Sequence, residues 1–272
     1  MALDDLRYQP TGGPSPEPPL RPGWLRWIAV AVAGLAAGSL LTFWWMSRAQ
    51  PTTTTPASTT AADGGTTSNR PAPQPMPLPP LSASDSFLRD LVSVLSRHPT
   101  LARWLATPDL VRGATLAVVQ IGDGRTPAGP LQALRPEIRV QVTGTDTGVV
   151  AAPSYRRWES AVSALTSIDP GDAAQVYVNV KPLLDEAYRE LGYPGGNFDE
   201  AVTRAIRLLA ETPAAPAAAV LLRRPAYFEY EDAALRSLRP VQKQFLLIGP
   251  DSQRQVLAWL RRFAAALDLP AA

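Results

Sequence analysis

The sequence predicts a mainly α (α+β) protein: an N-terminal transmembrane helix, a disordered linker, and one helical domain with one or two short β-hairpins. Three observations support this class. Residues 27–46 are an uncharged apolar run, residues 47–82 are rich in threonine and proline, and residues 83–272 repeat apolar side chains at helical spacing. We therefore divide the chain into a disordered tail (1–26), the membrane span, the linker and the helical domain.

The span reads WIAVAVAGLAAGSLLTFWWM over residues 27–46. A helix needs roughly 20 apolar residues to cross the hydrocarbon core of a bilayer, and aromatic rings gather at its two interfaces. Trp27 stands at one end of the run and Trp44 and Trp45 at the other. The first expected partner is therefore the lipid bilayer itself.

Arginines set the predicted orientation of the span. Arg21 and Arg26 precede it, whereas only Arg48 follows it closely. Because basic residues stay on the cytoplasmic side, we expect a single-pass protein of the bacterial inner membrane with a cytoplasmic N-terminus and a periplasmic or otherwise extracytoplasmic domain. A cleaved signal peptide is the alternative, since Ser47-Arg48-Ala49 loosely resembles a cleavage site, but the run is longer than the usual apolar core of about 7–15 residues.

The tail and the linker are both too broken to fold alone. The tail is short and interrupted by repeated prolines and by Gly12-Gly13, which excludes a folded cytoplasmic domain. In the linker, runs of threonine give way to alternating prolines, which favour coil and extended polyproline II respectively. We expect such a segment to provide reach, roughly 100 Å at full polyproline extension and about 30 Å as a coil.

Composition excludes several functional classes. The chain has no cysteine, so disulfides and cysteine-based zinc or redox sites are excluded. The net charge of +2 leaves no strong basic patch, so no nucleic-acid partner is expected.

Within the domain, apolar spacing and turn signals predict the elements in order. The first helix starts at Ser82 or Asp85, and a second follows Thr107-Pro108-Asp109, with Thr107 as cap and Pro108 as first helical residue. Alternation at 138–142 and the glycines at 144 and 148 predict a hairpin. A helix from Trp158 ends at Asp169-Pro170-Gly171.

The second half is predicted in the same way. Residues 176–191 have helical spacing, with a kink or a break at Pro182. The turn Gly192-Tyr193-Pro194-Gly195-Gly196 leads to a helix started by a capping box of Asn197 and Glu200. A second possible hairpin pairs 219–223 with 227–230. Two helices follow, over 241–248 and after Gly249-Pro250, the latter capped by Asp251 or Ser252.

Several segments together resemble a bacterial family known as domain of unknown function 3014. The matching segments are Leu78-Pro79-Pro80-Leu81 with Ser84-Asp85, the run 183–188 with Leu191-Gly192-Tyr193-Pro194, Arg224-Pro225, and Gln242-Lys243 with Phe245-Leu246-Leu247 and Gly249-Pro250. The likeness covers most of residues 78–267. It implies a single-pass envelope protein and carries over no catalytic residue.

No residue is assigned a catalytic, cofactor-binding or metal-binding role. His98 is the only histidine, so a Ser-His-Asp triad would require it; we expect it instead at the C-terminal end of the first helix, where it suits the helix dipole. Carboxylate groups, which serve glycosidases, are expected on an exposed helix side or at a helix start: Asp185, Glu186, Glu190, Asp199 and Glu200. Residues 192–196 form a turn and lack the pattern of a phosphate-binding loop.

Two features point to partners. Tyrosines and arginines are common at protein interfaces, and the domain is rich in both, although we expect most of its tyrosines in the core: Tyr155, Tyr177, Tyr188, Tyr193, Tyr227 and Tyr230, near Arg156, Arg157, Arg223 and Arg224. In the span, Gly34 and Gly38 form a small-residue face that would allow a homodimer.

Two functional hypotheses remain. The first is a membrane-tethered extracytoplasmic module that binds or scaffolds an envelope protein partner, without a cofactor. The alternative is a cell-envelope enzyme that acts on wall polymer through carboxylates. The sequence favours binding, because the enzyme would need a constellation of residues that we do not find.

Overall fold

A computed structural model describes residues 70–74, 76–216, 219–225 and 227–270. The predicted tail, the span with Gly34 and Gly38, and the linker up to residue 69 lie outside the described residues. Within the described ranges, no helix combines the length and apolar composition that a membrane crossing requires.

The described part of the chain is mainly helical with one small antiparallel sheet, as predicted. The helices are α1 (Ser84–Leu95), α2 (Pro99–Leu105), α3 (Leu110–Gly122), α4 (Ala152–Arg156), α5 (Glu159–Thr166), α6 (Pro170–Glu190), α7 (Phe198–Ala210), α8 (Ala233–Ser237), α9 (Pro240–Leu246) and α10 (Pro250–Ala266). The strands are β1 (Val142–Thr143), β2 (Thr147–Val150), β3 (Val220–Arg223) and β4 (Phe228–Tyr230). Short 3-10 turns cover Leu81–Ala83 and Gln132–Leu134.

The central element is α6, which contacts α1, α3, α7 and α10. Its N-cap, Asp169, accepts a 2.7 Å hydrogen bond from the backbone N–H of Gly171. A break at Pro182 is not observed, since the helix is continuous from Pro170 to Glu190. The ring of Pro182 is solvent-exposed while Leu183 and Leu184 beside it are buried. Packing on the buried side therefore outweighs the roughly 3 kcal/mol that an internal proline costs.

The start of α3 differs from the prediction. Thr107 is not its cap and Pro108 is not its first residue; the N-cap is Asp109, in the left-handed conformation with φ 54°. The carboxylate of Asp85 on α1 accepts hydrogen bonds from the backbone N–H groups of Asp109 and Leu110, both at 2.8 Å. A side chain distant in sequence thus caps the helix, which local patterns do not reveal.

The start of α10 also differs. Neither Asp251 nor Ser252 is the cap, because Pro250 is already the first helical residue and Gly249 occupies the N-cap with φ 87°. A Cβ atom on Gly249 would lie 2.8 Å from the Cβ of Tyr155. Both the left-handed backbone and this close approach require glycine here.

Three short helices, α2, α4 and α8, were missed by the sequence analysis. They contain seven, five and five residues, too few to display a clear helical period. The Asn197 cap of α7 is confirmed by a 3.1 Å bond from the backbone N–H of Asp199. The turn before it is also confirmed, and its Tyr193 ring stacks on Tyr188 at 4.4 Å.

Both predicted hairpins are confirmed, and they join into one sheet of order β1-β2-β3-β4. The joining pair is β2 with β3, in which Val149 lies opposite Val220 and Gly148 opposite Leu221. One face of this sheet packs on the helices through Val150, Leu221 and Tyr230. A separate, larger core surrounds α6.

We predict that Asp85→Ala lowers the free energy of unfolding by about 1–2 kcal/mol, because two backbone N–H groups at the start of α3 lose their acceptor. Urea denaturation of the full chain, followed by tryptophan emission, measures the effect. The matched control is Asp90→Ala, an exposed aspartate on the same helix. Equal midpoints for the two variants would show that Asp85 is not the cap on which α3 depends.

Candidate functional site

His98 has a structural contact at the start of a helix. It was predicted at the C-terminal end of the first helix, but α1 ends at Leu95 and His98 is the N-cap of α2. Its Nδ1 accepts a 3.2 Å hydrogen bond from the backbone N–H of Thr100. In a Ser-His-Asp triad one ring nitrogen donates a hydrogen bond to a carboxylate, which orients the ring. In His98, Nδ1 instead accepts a hydrogen bond from a backbone N–H.

The candidate carboxylates are mostly held by neighbouring cations. Glu190 is exposed, as predicted, and accepts hydrogen bonds from Arg112 at 2.6 and 3.0 Å. These bonds and the Arg112 charge lower the pKa of Glu190, although desolvation acts in the opposite direction. Asp185 is half-buried and not exposed as predicted, because it accepts from Lys181 Nζ at 2.7 Å and from the backbone N–H of Phe198 at 3.0 Å.

Asp199 is the centre of a polar cluster that the sequence analysis did not foresee. Its side chain is 14% exposed. It accepts hydrogen bonds from the Tyr177 hydroxyl at 2.5 Å and from the Arg70 guanidinium at 3.1 and 3.3 Å, and Lys181 Nζ lies 4.0 Å away. The cluster therefore joins α6, α7 and the segment that enters the domain at residue 70.

The surroundings of this cluster shift the pKa values of Tyr177 and Asp199 in opposite directions. Burial raises the pKa of the Tyr177 hydroxyl, and the hydrogen bond to Asp199 and its negative charge raise it further. Burial alone would raise the pKa of Asp199, but the bonds from Arg70 and Tyr177 and the nearby positive charges lower it below its usual value. A phenol that keeps its proton and a carboxylate that stays ionised suit a structural contact better than proton transfer near neutral pH.

Two adjacent cavities lie among the helices. The first, of about 380 Å³, lies between α1, α3, α6, α7 and α10; the second, of about 410 Å³, lies between α3, α5, α9, α10 and residues 126–135. Both have almost entirely apolar walls. Ile121, Leu209 and Leu260 line both, so these three side chains separate the two spaces. Each volume falls within the range of small-molecule sites, about 300–1,000 Å³.

Three residues that line the second cavity carry buried polar atoms without a hydrogen-bond partner among the described residues. Thr126 Oγ1, Trp158 Nε1 and Gln244 Nε2 are buried and have no hydrogen-bond partner among the described residues, and all three residues line this cavity. Arg135, which is exposed, lines it as well. An unsatisfied buried donor is costly, about 1–3 kcal/mol, so these atoms mark a position where a ligand could supply acceptors.

The outer face of the sheet is a third feature. Strand alternation directs Val149, Val220 and Leu222 away from the core side chains Val150 and Leu221. Val220 is 37% exposed, and the side chains of Val149 and Leu222 are partly exposed. We call these three residues the outer sheet patch. Most solvated sheet faces carry polar residues, so an aliphatic strip here is unusual.

The tyrosines divide between the core and the surface near the sheet. Tyr177, Tyr188 and Tyr230 are buried, as expected for most of the tyrosines. Tyr227 is 38% exposed, and the exposed Arg223 guanidinium lies 5.4 Å above the Phe228 ring. These residues lie at the turn end of the β3–β4 hairpin, and alternation places Arg223 and Phe228 on the same face as Leu221, opposite to the outer sheet patch.

No metal site is found within the part of the chain that the structure describes. Among those residues, no group of three or more histidine, aspartate or glutamate side chains converges as metal ligands. Asp185, Glu190 and Asp199 each pair with a lysine or an arginine instead.

A family model described as "Protein of unknown function (DUF3014)" matches residues 110–264, more than half of the chain. The chain belongs to this family. The match confirms the resemblance drawn from the segments above, and it covers both hairpins and the whole lining of the second cavity. No curated protein and no solved structure matches the chain.

Sequence patterns could not reveal the cavities or the Asp199 cluster. The residues of the second cavity come from positions 121 to 260 and show only ordinary helical periodicity. Arg70 was assigned to the linker, yet it contacts Asp199, 129 positions further along the chain. Its isolated position after a long stretch without basic residues was the only available signal.

We predict that Asp199→Asn lowers the free energy of unfolding by about 1–3 kcal/mol at pH 7. The pKa of Asp199 is lowered on folding, so its stabilising contribution is present above the pKa of the unfolded chain and lost as pH falls through the folded value. The difference from the wild type should therefore be constant between pH 7 and about 5 and shrink as the pH falls below about 4. Urea titrations at several pH values test this, with exposed Glu200→Gln as control. A constant difference across pH would contradict the assignment.

Proposed function

We propose that this chain is a membrane-tethered, extracytoplasmic protein-interaction or scaffold module of the bacterial envelope. The apolar run at 27–46 supports the tether, and the arginines before it support the orientation. The observation that carries the interaction role is the outer sheet patch, an aliphatic strip on a solvated face.

The outer sheet patch has the character of an interface. Val149 and Val220 face each other across the β2–β3 pair, and Leu222 lies next to Val220 on the same side. None of the three belongs to either hydrophobic core. Contiguous apolar surface rimmed by polar residues is typical of protein-binding sites.

Charged residues border the outer sheet patch and would help to orient a bound partner. Glu229, opposite Leu222 in the sheet, accepts a 2.9 Å hydrogen bond from Arg224, and Arg236 Nε lies 4.0 Å from its other oxygen. Apolar centres with polar rims are the usual anatomy of such surfaces, in which aromatic residues and arginines supply most of the energy. Arg224 and Arg236, which pair with Glu229, supply arginines at this rim.

The alternative function, an envelope enzyme acting on wall polymer through carboxylates, has weaker support. Asp185, Glu190 and Asp199 are each bound to a basic side chain. A general acid needs a raised pKa, whereas the pKa values of Glu190 and Asp199 are both lowered. The exposed Glu186 and Glu200 remain for such a role.

The tether and the linker complete the proposal. We propose a single pass through the inner membrane with the N-terminus in the cytoplasm, and a homodimer of spans through Gly34 and Gly38 as a further association. The linker would set how far the domain reaches, since a coil of about 20–30 residues extends roughly 25–30 Å. The function would then depend on how far the domain reaches from the membrane as well as on the outer sheet patch.

We predict that Val220→Glu lowers partner affinity by roughly tenfold or more, because it places a charge at the centre of an apolar contact. A photo-crosslinking residue at position 222 of the full chain, activated in native membranes, measures the yield of protein conjugates. The matched control is Val94→Glu on α1, the same substitution at a site that is 84% exposed. Equal yields in both variants would reject the patch. Each variant can also be tested for its ability to restore the phenotype of a strain that lacks the protein. If Glu186→Gln or Glu200→Gln fails to restore it while Val220→Glu restores it, the enzyme hypothesis is favoured.

We predict that a reporter fused after Ala272 is active only if the reporter works outside the cytoplasm. The expectation follows from Arg21 and Arg26 before the span against Arg48 after it. Paired alkaline phosphatase and green fluorescent protein fusions provide the measurement. Fluorescence of the cytoplasmic reporter would reverse the orientation, and a released form shortened to about residue 50 would indicate cleavage.

A further inference from the structure

We propose that the second cavity binds a single-chain amphiphile with an acidic headgroup, of the fatty-acid type. The alkyl chain would occupy the apolar space between α5, α9 and α10. The headgroup would lie at the side formed by Trp158, Gln244 and Thr126, with Arg135 beside it. This site is separate from the outer sheet patch and goes beyond the proposed function.

The shape and lining of the cavity fit an alkyl chain. Its apolar walls include Val162 and Leu165 from α5, Phe245 and Ile248 from the α9 region, and Leu260 from α10. The first cavity continues beyond Ile121, Leu209 and Leu260 with walls that are apolar almost throughout. A chain that passes these three side chains would find further space of the same character. Burial of each methylene group then adds favourable free energy, which favours long chains over short ones.

The polar atoms of the cavity require acceptors from the ligand. The indole N–H of Trp158 can only donate a hydrogen bond, and it has no acceptor among the described residues. Gln244 Nε2 and Thr126 Oγ1 belong to two further lining residues of this cavity and likewise have no partner among the described residues. A carboxylate offers several acceptor sites to such donors, whereas a hydrocarbon or an amine does not.

Charge selects an acidic headgroup over a neutral one. Arg135 is the charged residue in the lining of this cavity, and a guanidinium pairs readily with a carboxylate. The Arg157 guanidinium also lies near this wall, 5.6 Å from the centre of the Trp158 ring. A positive charge next to unpaired donors favours an anionic ligand.

A photoreactive fatty acid tests the proposal in cells that produce the full chain. The probe is a long-chain fatty acid with a diazirine in its chain and a terminal alkyne. After irradiation the chain is purified under denaturing conditions, the label is quantified, and the modified peptide is identified by mass spectrometry. We expect labelling on peptides that contain cavity residues of α5 or α9. The methyl ester of the probe and a short-chain analogue should label at least several-fold less.

Variants separate the cavity from non-specific labelling. Ala161→Phe fills the cavity and should lower labelling about tenfold, while Ala265→Phe, at an exposed position of α10, should not. Ala128→Phe, at another lining residue of the same cavity, replaces Ala161→Phe if circular dichroism shows that the latter is unfolded. Trp158→Phe should lower labelling by the acid about tenfold, the loss of one charge-assisted hydrogen bond, and should lower labelling by the ester less, because a neutral carbonyl accepts a weaker bond.

Each result decides the proposal. Labels outside the cavity, or equal labelling of the folded filling variants and the wild type, would overturn it. Equal labelling by acid and ester would overturn the acidic headgroup. If a photo-crosslinker at position 128 captures a protein segment in place of the fatty acid, the occupant is a partner and the proposal is wrong. Val220→Glu should leave labelling unchanged, so failure of the interaction surface and failure of the cavity are distinguishable.

Discussion

A full turn of α6 is buried on every side, and the rest of the domain is arranged to cover it. Tyr177, Val178, Asn179 and Val180 are consecutive and all buried, and four residues exceed one helical turn. A helix with one apolar stripe needs cover on one side only; this one needs neighbours all round. Helices α1, α3, α7 and α10 supply most of the cover, which also explains why the helix continues through Pro182.

The remaining cover comes from the chain that leads into the domain. Asn179 is polar and buried, and its side-chain oxygen accepts hydrogen bonds from the backbone N–H of Gln74 and from Gln175 Nε2, both at 3.0 Å. Gln175 in turn donates to the carbonyl of Ala72 at 3.0 Å. Residues 70–74 therefore add hydrogen bonds to polar groups on α6, one of them on the buried side chain of Asn179. The same segment carries Arg70 to Asp199.

The sequence predicted the elements that depend on local residue patterns. It did not predict the features that depend on contacts between residues distant in the chain. The helices α3, α6, α7 and α10 and both hairpins were found from spacing and turn residues. The cap of α3 by Asp85 was missed because the two are 25 positions apart, and the pairing of β2 with β3 joins strands separated by α4 to α7. The half-burial of Asp185 and Asp199 was missed for the same reason: their exposure is set by Lys181, Tyr177 and Arg70 and not by their helical positions. The cavities reflect how well side chains fill space, which no spacing encodes.

The contacts of Arg70 also determine how the domain would carry mechanical load. Its backbone N–H donates to Asp268 at 3.0 Å, its guanidinium donates to the carbonyl of Leu267, and the same group holds Asp199. A pull on the chain from its N-terminal side reaches these bonds before it reaches any helix of the domain. The force would then divide between the start of α7 and the end of α10, and it would act on several hydrogen bonds at once. Force applied to the chain from its N-terminal side would thus be resisted first at the contacts of Arg70 with Asp199, Leu267 and Asp268.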